Sequence, residues 1–498
     1  MSEADLSPAR FGTAFKAFME AVVAQATPPA NPLLERIERH LGVDPTQLPV
    51  IAEEFDPFEH PNVQVALDDY LGGEERRADL LGVAAGNKRY MALSLSDLLS
   101  RGDGPGPLAE GPVDYVNFHL AGDRVLSCVQ FGLALVSDGE ARLAVLVSGP
   151  NEHMGPRSRL RVEVMAARRE DGEAFLAGLT EAMRRLNVYR GQVISLAPGE
   201  LGMGPQTLVA FHALPRVGRD DVVLPAGVLE RVERHTVVFA EQAERLLAAG
   251  RSLKRGLLLY GPPGVGKTLT LMYLIGRMPG RTTILTTGLG MGLLHPVAQL
   301  ARTLAPAMVV LEDVDLIAEE RGRPFGGGPL LFELLNEMDG LHDDCDVIFA
   351  LTTNRPDILE PALAARPGRI DLAVELPLPD AEGRRRLLEL YARGLELREV
   401  DLGAFVGRTE GASPAYIKEL LRKAALLAAE GAGVAVTNAH LEAALADVNA
   451  GGRLAQRILG FRPPQDPAGP PDAPFPGRLM APTGFPPGAI TTTVEPDE

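Results

Sequence analysis

The spacing of apolar residues changes character along the chain, and each change predicts a different kind of element. In FKAFMEAVVAQA and NPLLERIERHLGV apolar residues recur at helical spacing, broken by Pro28, Pro29, Pro45 and Pro49. Residues 1–105 are therefore expected to be mostly helical. A Gly/Pro-rich joint, RGDGPGPLAEGP (101–112), follows. Beyond it, VDYVNFHL, RVLSCVQFGLALV, ARLAVLVSG and RLRVEVMAARR carry β-branched residues and hairpin-like breaks. With the helix EAFLAGLTEAMRRLNV and the strand GQVISLA they predict an α+β domain over 106–218. From 219 to 378 the pattern shifts again. The apolar runs GLLLYG, TTILTT, MVVLED and DVIFALTTN alternate with helical segments from Gly266 to Met278, near 296–304 and over 328–341. Continuous apolar strands between amphipathic helices predict a parallel sheet covered on both faces. After PLPD (377–380) only helical patterns remain, giving a small helical domain over 379–455, and the proline-dense stretch 456–498 reads as a disordered tail.

Composition narrows the class. A chain of 498 residues, 46% hydrophobic and without tryptophan, has the make-up of a soluble protein with more than one core. Its formal charge of −17 argues against a surface that coats nucleic acid, because phosphate binding rests on clustered Lys and Arg. Cys128 and Cys345 form neither a CxxC pair nor a disulfide framework and read as free thiols in a reducing compartment. The opening MSEADLSPARFG is acidic, unlike a signal peptide, and no apolar run approaches the length of a membrane span, so a cytoplasmic location is expected. His119, His153 and Asp138 stand alone, without partners at metal-ligand spacing.

The chemistry is concentrated in two stretches. LLLYGPPGVGKTLTLMYLIG contains GxxxxGKT at 261–268, after an apolar strand and at the start of a helix. Glycines 261, 264 and 266 let backbone N–H groups turn inward as a nest for phosphate oxygens, and the helix dipole adds to the anion site. Over Gly261, Pro262, Pro263, Gly264, Val265, Gly266, Lys267, Thr268 and Leu269 the loop predicts a nucleotide site. Lys267 can reach the terminal phosphates, and Thr268 can offer its hydroxyl to Mg²⁺. Downstream, VVLEDVD (309–315) ends a second buried strand in acids. Glu312 is placed for the Mg²⁺ shell and Asp313 to orient the attacking water. Asp315 reads equally as a helix cap or as a catalytic acid.

The region 220–450 resembles an AAA module of the AAA+ ATPases. The resemblance rests on GPPGVGKT, VVLEDVD, LLNEMDG, ALTTNRPDILEPALAARPGRID and TEGASPAYIKELLRKAA, in the family's order. It implies an AAA+ α/β fold, a P-loop parallel sheet with a helical lid, and use of ATP with Mg²⁺. It further implies that Asn354 is the polar sensor of the terminal phosphate and that Arg366 and Arg369 are arginine fingers for a neighbouring subunit. Gly411 and Ala412 match the lid position near adenine and ribose, and Asp339-Gly340 the intersubunit signalling segment. Fingers supplied by a neighbour imply a homo-oligomeric ring, usually of six subunits.

Two departures shape the functional expectation. The order Glu312-Asp313 is exchanged relative to the usual Asp-Glu. It is similar to the subgroup containing the mitochondrial chaperone that translocates the Rieske iron–sulfur protein, as is RSLKRGLLLYGPPG. Both positions keep a carboxylate, which predicts altered geometry and not a dead site. The stretch TGLGMGLLHPV offers Leu289 and Met291 but no aromatic where peptide-threading rings carry one, and Phe325 is the alternative pore residue. No HExxH occurs, so a fused metalloprotease of the membrane-anchored AAA type is not expected. The leading expectation is an ATP-driven remodeller or translocator of protein clients, bound directly or through an adaptor on residues 1–218. The alternatives are a nucleotide-gated scaffold with low turnover and a nucleic-acid-associated AAA+ ATPase.

Overall fold

The computed structural model describes residues 8–25, 31–84, 93–99, 108–150, 158–196, 209–286, 293–315, 337, 345–357, 359, 369–431 and 435–450. They fall into two compact units, Met1–Pro262 with Gly266–Pro377, and Pro263–Val265 with Leu378–Glu498.

The first unit contains two sheets. β1 (Val50–Phe55), β2 (Arg76–Ala84), β3 (Ala109–Gly111), β4 (Asp114–His119), β5 (Val125–Asp138), β6 (Ala141–Ser148) and β7 (Leu160–Ala166) make a seven-stranded sheet in the order β1-β7-β6-β5-β2-β3, with β4 also paired to β5. Every pairing is antiparallel. Both faces are covered, and the strands alternate accordingly. Ala134, Val136, Val145 and Val162 join Val63, Leu67, Phe175 and Leu179 of the helices His60–Leu71 and Arg169–Arg185. Their neighbours Leu133, Leu135, Leu146 and Met165 join Leu33, Ile37, Leu95 and Leu98 of the helices Pro32–Leu41 and Leu95–Leu98.

This corrects the expectation of a mostly helical region over 1–105. VIAEEF and RRADLLGVA are strands β1 and β2, and they belong to the same sheet as β4 to β7, so residue 105 is no domain boundary. The two segments carry polar residues on exposed positions of their pleat, and their weak period-2 signal sits beside strongly periodic helices.

The second sheet consists of β8 (Val193–Leu196), β9 (Val209–Phe211), β10 (Arg255–Tyr260), β11 (Thr282–Thr286), β12 (Ala307–Leu311), β13 (Val347–Thr353) and β14 (Leu372–Glu375), ordered β14-β10-β13-β12-β11-β8-β9. All pairs are parallel except β8–β9. The four strands expected from 219 onward, β10 to β13, are thus joined by three more, β8, β9 and β14. GQVISLA was expected to complete the α+β domain. Instead β8 pairs with β11 through Val193↔Thr283, Ile194↔Ile284 and Ser195↔Leu285. Ile194 and Leu196 are buried in the core with Ile284, Val309 and the helix residues Val297 and Leu300, so the open edge of β11 captures the strand.

One short segment ties the two sheets together. Asn62 Oδ1 accepts from Val188 N–H (2.9 Å), and the Tyr189 hydroxyl donates to the Phe58 carbonyl. Two residues further on, Gly191 N–H donates to Thr282 Oγ1 (3.0 Å) and Arg190 donates to the Ala305 carbonyl (3.1 Å). Asn62 Nδ2 also donates to Glu59 Oε2 (2.6 Å). Among the described residues no helix is long and apolar enough to cross a membrane.

The second unit is helical, as expected for the region after 378: Ala381–Tyr391, Leu402–Arg408, Pro414–Glu430 and Asn438–Ala450. Side chains cap three of the helices, Asp380 accepting from Gly383 N–H, Asp401 from Gly403 N–H and Ser413 from Tyr416 N–H. Tyr416, fully buried, donates to Asn449 Oδ1 (2.9 Å) and so fixes the helix Pro414–Glu430 against Asn438–Ala450.

Burial pushes the Glu59 carboxyl above its ordinary range, Asn62 opposes this, and Asp56 adds to it. A carboxyl whose folded pKa is raised gives stability that is present below its unfolded value and lost as pH rises through the folded one. Glu59→Gln keeps an acceptor for Asn62 and removes the charge. Its urea midpoint, compared with that of the unaltered protein, is expected to rise as pH goes from 4 to 8. An unchanged difference across that range would show that Glu59 carries no burial cost.

Candidate functional site

At the carboxyl end of the second sheet, β10 and β13 are adjacent and in register, Tyr260 opposite Thr353. Their next residues, Gly261 and Asn354, therefore leave the sheet side by side. Gly261 N–H donates to the Thr353 carbonyl (3.4 Å). Gly261 has φ +148°, and a Cβ there would lie 2.2 Å from the Leu376 carbonyl oxygen, so no side chain fits. Gly266, at φ +100°, turns the chain into the helix Lys267–Arg277.

Lys267 begins that helix with only 7% of its surface exposed. Its Nζ donates to the carbonyls of Gly261 (2.9 Å) and Pro262 (3.0 Å) and to Asn354 Oδ1 (2.7 Å). Asn354 Nδ2 in turn donates to Asp313 Oδ1 (3.1 Å). Lys267, Asn354 and Asp313, widely separated in sequence, thus form one hydrogen-bonded chain. Burial lowers the Lys267 ammonium pKa, opposed by the charges of Asp313 and Asp315. Desolvation raises the Asp313 carboxyl, Asp315 adds to this, and Lys267 and Asn354 oppose it.

The acids are presented by the end of β12. Glu312, half-buried, donates its N–H to the Thr286 carbonyl (3.3 Å). Asp313 adopts a left-handed φ of +51° and donates its N–H to Thr352 Oγ1 (3.1 Å). Such a conformation is uncommon outside glycine, though aspartate tolerates it better than most. Asp315 is buried, and its Oδ1 accepts from Thr353 Oγ1 (2.8 Å) and from Asn354 N–H (3.3 Å). This bonding runs across to β13 and makes Asp315 part of the cluster. Sequence reading left its role open and passed over Thr352 and Thr353; the only signal was the Thr-Thr pair directly before Asn354.

Thr268 is exposed one residue after Lys267. Among the described residues no group of three or more His, Cys, Asp or Glu could hold a metal ion. Thr268 and Glu312 instead suit Mg²⁺, which keeps waters and takes phosphate oxygens beside one or two protein ligands. The positive-φ glycines and the buried ammonium fit a polyphosphate.

Arg369 is not in this cluster. Its carbonyl oxygen lies against Gly256, where an added Cβ would come within 2.0 Å of it. Gly256 stands near the amino end of β10 and Gly261 follows its carboxyl end, a separation of about 16 Å at strand rise. That exceeds the reach of an arginine side chain. Arg366, Leu289, Met291, Phe325, Asp339, Gly340 and the tail 456–498 lie outside the described residues, as does the segment expected to be helical over 328–341, apart from Glu337. In the second unit Gly264 (φ +77°) accepts at its carbonyl from Ala415 N–H (3.2 Å), Gly411 has φ +78°, and Ala412 is fully buried.

Residues 257–378 match the model of AAA, the ATPase family associated with various cellular activities. The chain is 36% identical over 261 residues to the ATP-dependent zinc metalloprotease FtsH 1 of Conexibacter woesei, an alignment covering 49% of this chain and 39% of that protein. It is 37% identical over 264 residues to the ATP-dependent zinc metalloprotease FtsH of Thermus thermophilus, covering 50% and 42%. With FtsH 3 of Synechocystis sp. it shares 34% over 271 residues, covering 52% and 42%. The chain therefore spans about two fifths of the length of these three curated relatives. The stretch 257–378 is an AAA ATPase domain on a parallel α/β sheet.

Proposed function

We propose that this protein hydrolyses ATP with Mg²⁺, assembles into a ring, and uses turnover to remodel or translocate protein clients. The observation that carries the reading is the chain Lys267–Asn354–Asp313, set beside the glycine loop at the carboxyl end of the parallel sheet. The ATP dependence in the relatives' names supports it.

In this reading the loop from Gly261 to Leu269 receives the phosphates, and Lys267 turns its ammonium from Asn354 toward the terminal ones. Thr268, and Glu312 through a water, would hold Mg²⁺, which would neutralise phosphate charge. Asp313 orients the attacking water and takes its proton; a carboxyl raised above the ordinary range is a stronger base for that task. Asn354 is placed to hold the same water and sense the terminal phosphate. Gly411 and Ala412 lie beside the base and ribose. Arg366 and Arg369 serve a neighbouring subunit, which accords with the distance of the Arg369 backbone from its own loop. A ring of six follows from the family resemblance. The antiparallel sheet domain is the platform for a protein client or adaptor. The Glu312-Asp313 order, similar to that of the Rieske-protein translocating chaperones, keeps a carboxylate at both positions and fits a working site of altered geometry.

Steady-state phosphate release is expected to rise more than linearly with protein concentration as rings form. Lys267→Ala should weaken nucleotide binding roughly tenfold or more, as loss of a charged hydrogen-bond donor does. Asp313→Asn should bind ATP normally and lose about a hundredfold or more in kcat. Turnover in Asp313→Asn equal to that of the unaltered protein would exclude its role, and assembly with ATP but no turnover would favour a nucleotide-gated scaffold.

Arg369→Ala should assemble and bind nucleotide yet lose roughly a thousandfold in turnover. Mixing it with Asp313→Asn should restore part of the activity, because some interfaces then pair an intact finger with an intact acid. No restoration in mixed rings would place Arg369 outside the neighbour's site.

A further inference from the structure

We propose that Asp315 is a positioning residue for hydrolysis: its buried carboxylate fixes the turn 353–355 and thereby sets Asn354 between Lys267 and Asp313. The proposal rests on the ATPase reading and assigns a role to an acid that the nucleotide motifs leave unassigned.

A carboxylate only 8% exposed is costly unless donors surround it. Asp315 finds them in Thr353 Oγ1 (2.8 Å) and the Asn354 N–H (3.3 Å). Thr353 Oγ1 also accepts from Arg355 N–H (2.9 Å), so one side chain organises three consecutive residues. Both bonds to Asp315 cross from β13, and helix capping along its own chain does not account for them. The preceding residue pair works in the same sense. Thr352 Oγ1 receives the Asp313 N–H and holds that residue in its left-handed conformation. Thr352 and Thr353 are 2% and 0% exposed, so neither hydroxyl is a solvent group. Two adjacent threonines therefore brace the acid-bearing turn against the sensor-bearing turn. Through Thr353, Asp315 sets the backbone of Asn354, and Asn354 bridges Lys267 to Asp313. The Asp315 charge also helps keep the buried Lys267 protonated.

The test measures steady-state phosphate release per nucleotide-binding site, with sites counted by titration with a fluorescent ADP analogue. Asp315→Ala and Thr353→Val should each lower kcat by about a hundredfold, the scale expected when a reacting group is misplaced by an ångström. Their affinity for the ADP analogue should change less than about threefold, because the phosphate loop is untouched. Thr353→Ser restores the hydroxyl and should recover most of the lost kcat. Asp315→Asn retains an acceptor and should fall between the unaltered protein and Asp315→Ala. Counting bound sites removes any contribution from misfolded chains. If Asp315→Ala does not fold, Thr353→Val and Thr353→Ser carry the comparison. Normal kcat in folded Asp315→Ala or Thr353→Val would overturn this proposal alone. An unaltered protein that binds the ADP analogue and Mg-ATP without turnover would overturn the ATPase reading, and this proposal with it.

Discussion

A buried ammonium needs acceptors on every donor, and Lys267 obtains them from separate parts of the chain. Two are carbonyls of its own loop, at Gly261 and Pro262, and the third is Asn354, supplied by a strand 87 residues away. Behind these stand Asp313 and Asp315, whose charges offset the desolvation of the lysine. The arrangement requires β10, β13 and β12 to be neighbours and to end at the same level. Their registers satisfy both conditions: Tyr260 is opposite Thr353, and Leu351 is opposite Leu311. A slip of one residue in either pairing would turn Asn354 or the acids to the wrong face. At the other end of the same strands, Arg281 and Asp346 form an ion pair of 2.7 Å, both partners largely buried, linking the entries to β11 and β13.

The antiparallel domain is fastened to this sheet through residues 188–191. Asn62 and Phe58 hold the segment from one side, Thr282 and Ala305 from the other. Tyr189 is itself buried in the core of the parallel sheet. The entries to β11 and β12 are thus joined to the helix His60–Leu71 and the turn before it by hydrogen bonds and packing.

Much of the site was legible because its chemistry is local. GPPGVGKT needs glycines at fixed offsets between a strand and a helix, and that requirement is written in consecutive residues. The strands β10, β11, β12 and β13 were equally plain, since burial on both faces makes them continuous apolar runs. β1 and β2 escaped notice because a half-exposed strand has too few apolar positions to outweigh adjacent helical periodicity. β8 was recognised as a strand and assigned to the wrong sheet, because apolar periodicity identifies an element without naming its partner.

The sequence by itself identified strands β10 to β13 and the glycine-rich loop of the candidate phosphate site: spacing, glycine placement and charge at a strand end are properties of short stretches. Tertiary structure alone decided which edge receives β8, that Arg369 stands far from its own loop, and that Asp315 turns inward to Thr353 and Asn354. The reason is physical. Strand pairing and the compensation of a buried charge depend on groups that meet only after folding, dozens of residues apart along the chain, and no local pattern encodes that meeting.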